Sequence, residues 1–576
     1  RFAFCFPDVY EVGMSHLGMK ILYQMINERP DALCERVFTP WMDMADGMRA
    51  RHVPLFSLES RTPVRAFDLV GFTLQYEMSY TNILEMLDLA QIPLHADERT
   101  EEDPLVIAGG PCAFNPEPLH AFIDAFVIGD GEEATLEVLD TVKAWKASGA
   151  PRASCLRQLA HVQGVYVPSL YDATYHADGT LASFEPNCVD APATVQKRFV
   201  RDLDAAFYPQ SMVVPFTEIV HDRIMLEVMR GCTRGCRFCQ AGMLYRPVRE
   251  RKLETLFALA ETLVQHTGYE EISLSSLSTG DYSCLPDLAR GLMERLEEKR
   301  VSISLPSLRV DSIVKESLEE TQRVRKSSLT YAPEAGTQRL RDVINKGVTE
   351  EDLLSSVRDA FEGGWNSVKL YFMIGLPTEE QADLEGIGAL ARGVTGAYFA
   401  IPKADRPRGL RVTCSASSFV PKPFTPFQWV AQDTIDVLLK KQYALRDLLS
   451  MRGVTFHWHE PHLSHLEACF ARGDRRLADV LEAAWRLGCR FDGWTETFDN
   501  EKWMQAFEAC GLDTAFYANR VRMQEELLPW QFIDAGVTQD FLWREWQRAL
   551  QGVVTPDCRN GCQGCGLTRW EGGCKA

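Results

Sequence analysis

Long apolar runs are missing from this chain: no uninterrupted stretch of about 18 residues occurs, which excludes a membrane-crossing helix from the expectations. Basic charge is scarce too, with 61 Lys and Arg against 80 Asp and Glu and a formal charge of -19. Affinity for phosphate backbones comes mostly from Lys and Arg, so a DNA-coating or membrane-surface role is excluded, and an RNA substrate would need a local basic groove. No charged-then-apolar leader opens the sequence; Arg1-Phe2-Ala3-Phe4-Cys5-Phe6 reads as a strand. An initiator methionine is lacking, so the natural start is expected upstream, and a cytoplasmic location is the default. No 20–50-residue repeat stands out.

What is present is ordinary soluble-protein material, 46% hydrophobic and 24% charged, in 576 residues that imply two to four domains. Seventeen cysteines are the anomaly. A reducing compartment does not sustain disulfides, so they need another reason. Most are scattered singly and suit small buried hydrophobes. The others gather in two tight clusters.

Alternating strand and helix patterns divide the chain. Residues 1–150 read as an open, parallel, doubly wound Rossmann-like sheet, with strands expected at 3–6, 36–39, 69–74, 105–108 and 125–128. Ligands of such sheets sit beyond the carboxyl ends of the strands. Residues 151–215 read as a connecting segment with some antiparallel strand. Over 216–430 six further strand–helix units, with strands at 224–228, 271–277, 302–305, 328–331, 368–374 and 412–419, predict a partial (βα)6 barrel. Residues 431–550 read as helical, and 551–576 as a cysteine- and glycine-rich tail. The fold class is therefore α/β with a helical C-terminal region.

Immediately after the strand at 224–228 stands Arg230-Gly231-Cys232-Thr233-Arg234-Gly235-Cys236-Arg237-Phe238-Cys239. A chance C-x3-C-x2-C match in a chain this rich in cysteine is about 1 in 70. Thiolates are the usual ligands of iron–sulfur clusters, and three on one loop can hold three irons of a cube while leaving the fourth open. An open metal position distinguishes a reactive centre from a structural one. The bland alternative is a structural three-cysteine site.

The loop resembles the defining motif of the radical S-adenosylmethionine (SAM) superfamily, including the aromatic Phe238 before the third cysteine. The resemblance implies a [4Fe-4S] cluster on Cys232, Cys236 and Cys239, whose open iron chelates SAM. It implies SAM contacts at Ser275 and Thr279 in Leu274–Asp281, at Glu334 and Arg339 in Ala332–Leu340, and at Gly375 in Met373–Thr378. The run Phe419–Gln428 resembles a closing strand shared by cobalamin-dependent and methylthio-transferring members.

Residues 1–150 resemble the cobalamin-binding domain that precedes many such barrels. The resemblance makes Tyr10, Gly13, Thr73, Gly109, Gly110, Gly129 and Gly131 candidate cobalamin contacts. Tyr10 departs from the family, standing where a cobalt-ligating histidine is expected, and a phenol protonated at neutral pH is a poor metal ligand. Cobalamin bound without a protein ligand and a domain kept only as scaffold both stay open.

The tail repeats the spacing with Cys558, Cys562 and Cys565, and Cys574 follows nine residues on. A second iron–sulfur cluster is expected there, closed if Cys574 ligates and open if it does not; a four-cysteine zinc site is the alternative. His457, His459, Glu460, His462 and His465 suit packing or surface exposure ahead of a helix near Pro461, with His459 or Glu460 as a conceivable proton carrier. Trp494 and Glu496 are conceivable at the substrate end. Arg246, Arg249, Arg251 and Lys252 are candidates for one edge of a basic groove.

These readings converge on a radical SAM enzyme that modifies an unreactive carbon by methyl transfer or by sulfur or methylthio insertion. Its expected partners are SAM, a substrate that is a small molecule, RNA or protein, and an electron donor such as flavodoxin or ferredoxin, with no membrane partner. The alternative is a non-catalytic iron–sulfur protein that relays electrons or senses redox state.

Overall fold

The computed structural model describes residues 1–305 and 329–574. The chain forms two compact units, both discontinuous: Arg1–Asp222 with Leu466–Gly536, and Arg223–His465 with Val537–Ala576.

In the first unit, strands β1 (Phe2–Phe6), β2 (Cys34–Phe38), β3 (Leu69–Thr73), β4 (Leu105–Gly109), β5 (Ala125–Val127) and β6 (Val165–Tyr166) form one sheet in the order β2-β1-β3-β4-β5-β6. The first five are parallel, and β6 runs antiparallel to β5. The near-continuous apolar strands Phe2–Phe6 and Leu69–Thr73 are buried throughout, as a sheet covered on both faces requires. Helices Leu17–Asn27 and Gly131–Ser148 help to build the core, which gathers Phe4, Ile26, Leu105, Val138 and Trp145. This is the expected doubly wound sheet, in a 2-1-3-4-5 order.

The connecting segment carries an antiparallel hairpin, β7 (Tyr171–Tyr175) with β8 (Leu181–Pro186), and then β9 (Val195–Gln196), which pairs in parallel with Ile533–Asp534. Residues 466–536 fold onto the carboxyl ends of this unit's sheet. Trp494 Nε1 donates to Asp8 Oδ1 at 3.0 Å, Tyr76 Oη to Glu467 at 3.1 Å, and Asn115 Nδ2 to the carbonyls of Ala471 and Gly473 at 3.0 Å. The stretch expected as one helical region over 431–550 thus divides between the two units.

The second unit begins with β10 (Ile224–Glu227) and the short antiparallel pair β11 (Met229–Arg230) and β12 (Arg249–Glu250). Strands β13 (Glu271–Ser275) and β14 (Ser302–Ser304) continue from β10 in parallel. A second parallel sheet follows in the order β15 (Leu329–Glu334), β16 (Ser367–Ile374), β17 (Arg411–Ser418) and β18 (Val454–Trp458). The described residues therefore hold seven such strands rather than six. The additional one, β18, lies in the histidine-rich stretch. Its core cluster centres on Val368, Leu370, Phe372, Val412 and Cys414 of β16 and β17, under helices Glu350–Glu362, Gln381–Ala400 and Ile435–Leu448.

Candidate active site

The first cysteine loop leaves the end of β10, the position from which parallel βα units present chemistry. Gly231 turns it at φ +92°, where a Cβ would stand 2.6 Å from the Tyr245 carbonyl oxygen. Only glycine takes that conformation beside that backbone without strain. Arg237 fixes the far side. Its guanidinium is fully buried, donates to the Val343 and Val553 carbonyls at 3.0 and 2.6 Å, and pairs with Glu545 at 3.2 Å. Asn345 Nδ2 holds the Gly235 carbonyl at 3.1 Å. Arg237 is therefore an anchor of the loop.

Cys239 opens the helix Gln240–Leu244, and its sulfur accepts from the Gly242 N–H at 3.3 Å. Burial pushes the Cys239 thiol up to about 12; Cys236 and Cys232 push the same way, while the Gly242 N–H and Lys346 oppose them. Metal ligation would offset the cost of burying a thiolate at Cys239. Among the described residues no three His, Cys, Asp or Glu side chains close on a point where a single ion could sit. A cubane instead takes each thiolate on a separate iron. The donor set fits such a cluster.

The other expected SAM contacts stand at strand ends of the same unit. Phe238 packs against the hydrophobic cluster that includes Leu340, Ile344, Leu376 and Phe419, with Lys346 Nζ 6.0 Å from its ring centre. Ser275 ends β13, and the buried Thr279 hydroxyl lies 2.9 Å from that of Ser276. Glu334 ends β15 at φ +66°, a left-handed conformation uncommon outside glycine and concentrated at functional sites. Its carboxylate is paired with Lys346 at 3.1 Å. Arg339 pairs with Asp383 and donates to the Thr378 carbonyl at 2.8 Å and to the Thr378 hydroxyl at 3.3 Å. Gly375 follows β16 at φ +77°, and its N–H donates to Glu379 at 3.0 Å. The residues thus sit at the ends of β10, β13, β15 and β16.

Sequence reasoning missed several members. Asp281, within the quoted Leu274–Asp281 run, binds Arg234 at 2.6 Å. Lys441 bridges Glu379 at 2.6 Å and Asp433 at 2.7 Å beside the Gly375 turn. Asp557 reaches the first loop from the tail, accepting from the Thr233 hydroxyl at 2.7 Å and pairing with Arg234 at 3.0 Å. Its adjacency to Cys558 was the available signal.

The candidate basic edge is not one. Arg246, Arg249 and Arg251 are all buried, Arg246 and Arg249 bonding to the Gly242 and Pro247 carbonyls and Arg251 pairing with Glu227. His457 and Trp458 lie on β18, Pro461 opens a helix, and Glu460 is bonded to His462 at 2.6 Å. Trp494 belongs to the first unit, on Asp8.

The tail cysteines sit in loops, Cys565 buried and Cys562 and Cys574 exposed. Burial raises the Cys558 thiol and Arg246 lowers it; burial also raises Cys574, with Cys565 and Cys558 adding to it.

At the cobalamin candidates the glycines pack closely against the chain itself. A Cβ on Gly129 (φ +110°) would fall 2.0 Å from the Arg198 oxygen, one on Gly110 (φ +114°) 2.7 Å from the Leu74 oxygen, and one on Gly13 2.3 Å from the Phe38 ring. Gly109 faces the Val127 oxygen, and Gly131 faces Leu22 and Thr135. Thr73 accepts from Gln75 at 2.6 Å, and Tyr10 packs edge-on to Phe38 with 5.2 Å between ring centres. Each residue thus has a close neighbour within the chain, the glycines on the side that a Cβ would occupy.

A family model described as the radical SAM superfamily matches residues 226–391, spanning β10, the cysteine loop and the ends of β13, β15 and β16. A second, radical SAM proteins, N-terminal, matches residues 18–168. The chain belongs to the radical SAM superfamily. Among curated relatives of this radical SAM protein, an uncharacterized protein of Methanocaldococcus jannaschii is 27% identical over 486 residues, covering 83% of this chain and 90% of the relative. The ribosomal protein uS12 methylthiotransferase RimO of Caldanaerobacter subterraneus is 25% identical over 177 residues, covering 28% of this chain and 38% of that enzyme. The chain therefore matches well under half of that methylthiotransferase. Among solved structures, the radical SAM methyltransferase TsrM of Kitasatospora setae, with cobalamin and a [4Fe-4S] cluster bound, is similar at a TM-score of 0.47 and 15% identity, covering 74% of each chain. No helix among the described residues is long and apolar enough to cross a membrane.

Proposed function

We propose that this protein cleaves SAM reductively at a [4Fe-4S] cluster held by Cys232, Cys236 and Cys239, and uses the resulting radical to modify an unreactive carbon. The observation that carries the reading is the loop itself: three cysteines beyond the end of β10, with its flanks pinned by Arg237 and Asn345. When bound, the cluster would supply one electron to SAM, giving methionine and a 5′-deoxyadenosyl radical that abstracts hydrogen.

The chain's own residues would bind and orient. The Gly242 N–H stabilises thiolate charge on Cys239. Lys346, held by Glu334 beside Phe238, places a cation near the cluster loop. Glu334 and Arg339 would exchange their present partners for the ribose and carboxylate of SAM, with Ser275 and Thr279 at its methionine end and Gly375 on the adenine side.

Of the two outcomes, sulfur or methylthio insertion has more support than cobalamin-borne methyl transfer. Relatives named as methylthiotransferases align with part of the chain. The test is anaerobic incubation of reconstituted protein with SAM and dithionite, analysed by mass spectrometry. 5′-Deoxyadenosine is the expected product; a loaded protein that makes none acts as an electron-transfer or redox-sensing protein instead.

A further inference from the structure

We propose that Cys558, Cys562, Cys565 and Cys574 hold a second iron–sulfur cluster, ligated by the chain on every side, through which electrons enter the first cysteine loop. The proposal rests on the reading of Cys232, Cys236 and Cys239 as ligands of the first cluster. Nothing in the SAM chemistry itself uses these four thiols, and their surroundings call for a reason.

The tail is built to bend. Gly561, Gly564, Gly566 and Gly572 all have left-handed φ, at +132°, +68°, +113° and +75°. Gly573 is pressed so closely onto the Leu567 carbonyl that a Cβ would fall 2.0 Å from its oxygen, which folds the chain back onto the Leu567 turn one residue before Cys574. The base of the loop is fixed: Leu567 is fully buried, Thr538 N–H donates to the Cys565 carbonyl at 2.9 Å, and Arg544 donates to the Gln563 carbonyl at 2.7 Å. A loop of this glycine content has little apolar material to order it, and metal ligation is a common substitute for a core.

Exposure distinguishes the two ends of the set. Cys565 faces the interior, whereas Cys562 and Cys574 are exposed. Two exposed thiols on an otherwise anchored loop are liable to oxidation unless ligated. Ligated, they form an outer edge at which a donor protein can approach.

The inner edge meets the first loop directly. The Cys558 N–H donates to the Thr233 carbonyl at 3.1 Å, one residue from Cys232. Asp557 accepts from the Thr233 hydroxyl and pairs with Arg234. Arg246 donates to the Gly242 and Arg234 carbonyls, which braces the first loop from within. The two cysteine loops therefore share a backbone hydrogen bond, a side-chain hydrogen bond and an ion pair. With all four ligands supplied by cysteine, the second site has no vacancy for a substrate, which leaves electron transfer as its chemistry. A reduced flavin or iron–sulfur donor protein gives up one electron and is oxidised by one equivalent. A cluster held by Cys558, Cys562, Cys565 and Cys574 would take up that electron and supply it to the first cluster, with no bond or proton changing hands.

The test uses the full chain, reconstituted anaerobically with iron and sulfide. Wild type should carry roughly eight irons, and both the C232A/C236A/C239A and C562A/C574A variants roughly four, with unchanged circular dichroism. Iron-free C232A/C236A/C239A protein, wild-type iron in C562A/C574A, or one zinc per chain at the tail would overturn the second cluster. Iron lost completely from C562A/C574A but kept by C232A/C236A/C239A would instead overturn the first-loop reading. For the relay, reduced flavodoxin should reduce the first cluster at least tenfold more slowly in C562A/C574A than in wild type, followed by stopped-flow absorbance. Equal rates would overturn the electron route.

Discussion

The amide of Cys558 donates to the carbonyl of Thr233 at 3.1 Å, so the chain's last cysteine cluster begins in direct contact with its first. More than 300 residues separate the two in sequence, and Asp557 reinforces the contact through Thr233 and Arg234. Asp557→Ala should loosen both loops, at a cost of about 1–3 kcal/mol for the lost charge-assisted bonds. Denaturant unfolding of the iron-loaded chain measures that cost. The rate of iron loss to a chelator should rise severalfold, and an unchanged rate would mean that the contact does not brace the clusters.

Cys236→Ala should reduce 5′-deoxyadenosine to background and remove the first loop's iron, because two thiolates cannot hold the cube. Iron assay and mass spectrometry on the same sample read both effects. Retained SAM cleavage would remove the basis of the proposed function.

Arg237 is a different kind of residue in the same motif. Its charge is buried against Glu545, and removing one member of such a pair strands the other. Arg237→Ala should therefore cost about 3–5 kcal/mol. Replacing both with apolar residues of similar volume should cost much less, and a double-mutant cycle measures the difference.

Gly129 carries its own prediction. At φ +110°, with the Arg198 carbonyl in the space of a Cβ, Gly129→Ala should destabilise the first unit by roughly 2 kcal/mol or more. Chemical denaturation followed by tryptophan fluorescence reads it. A neutral effect would show that the crossing of residues 195–200 over this turn is loose.

Acidity should register at Asp492. Burial pushes its carboxyl up to about 6, against hydrogen bonds from Thr81 and Trp503 that hold it down. The folded protein then holds a proton that the unfolded chain releases near pH 4. The contribution to stability is full below that pH and is lost as pH rises through about 6. Asp492→Asn should abolish this downward slope between pH 4 and 6 in urea titrations, and a slope that survives assigns it to another group.

Much of this was legible in advance. The five parallel strands of the first sheet announced themselves as short apolar runs between amphipathic helices, since strands buried on both faces need no alternation. The cysteine spacing likewise marked the loop, because ligand chemistry is local in sequence. Long-range pairing was not legible. That Arg246, Arg249 and Arg251 are interior residues depends on carbonyls and carboxylates whose positions only the fold supplies, and a run of arginines ordinarily reads as a solvated face. Strand β18 was hidden because its residues are mostly exposed and its histidines drew attention to chemistry instead. The glycines of the first unit carried a signal for close approach but not for what approaches: at Gly129 it is the backbone of Arg198.

The division of the first unit has a consequence for biosynthesis. A ribosome emits residues 1–222 and then more than two hundred others before it reaches Leu466, so the nascent sheet waits with the ends of β1, β3 and β4 uncovered. Completion late in translation makes this half of the molecule the more exposed to chaperones and to aggregation. A premature stop anywhere before Gly536 leaves it unfinished, however intact its own first two hundred residues are.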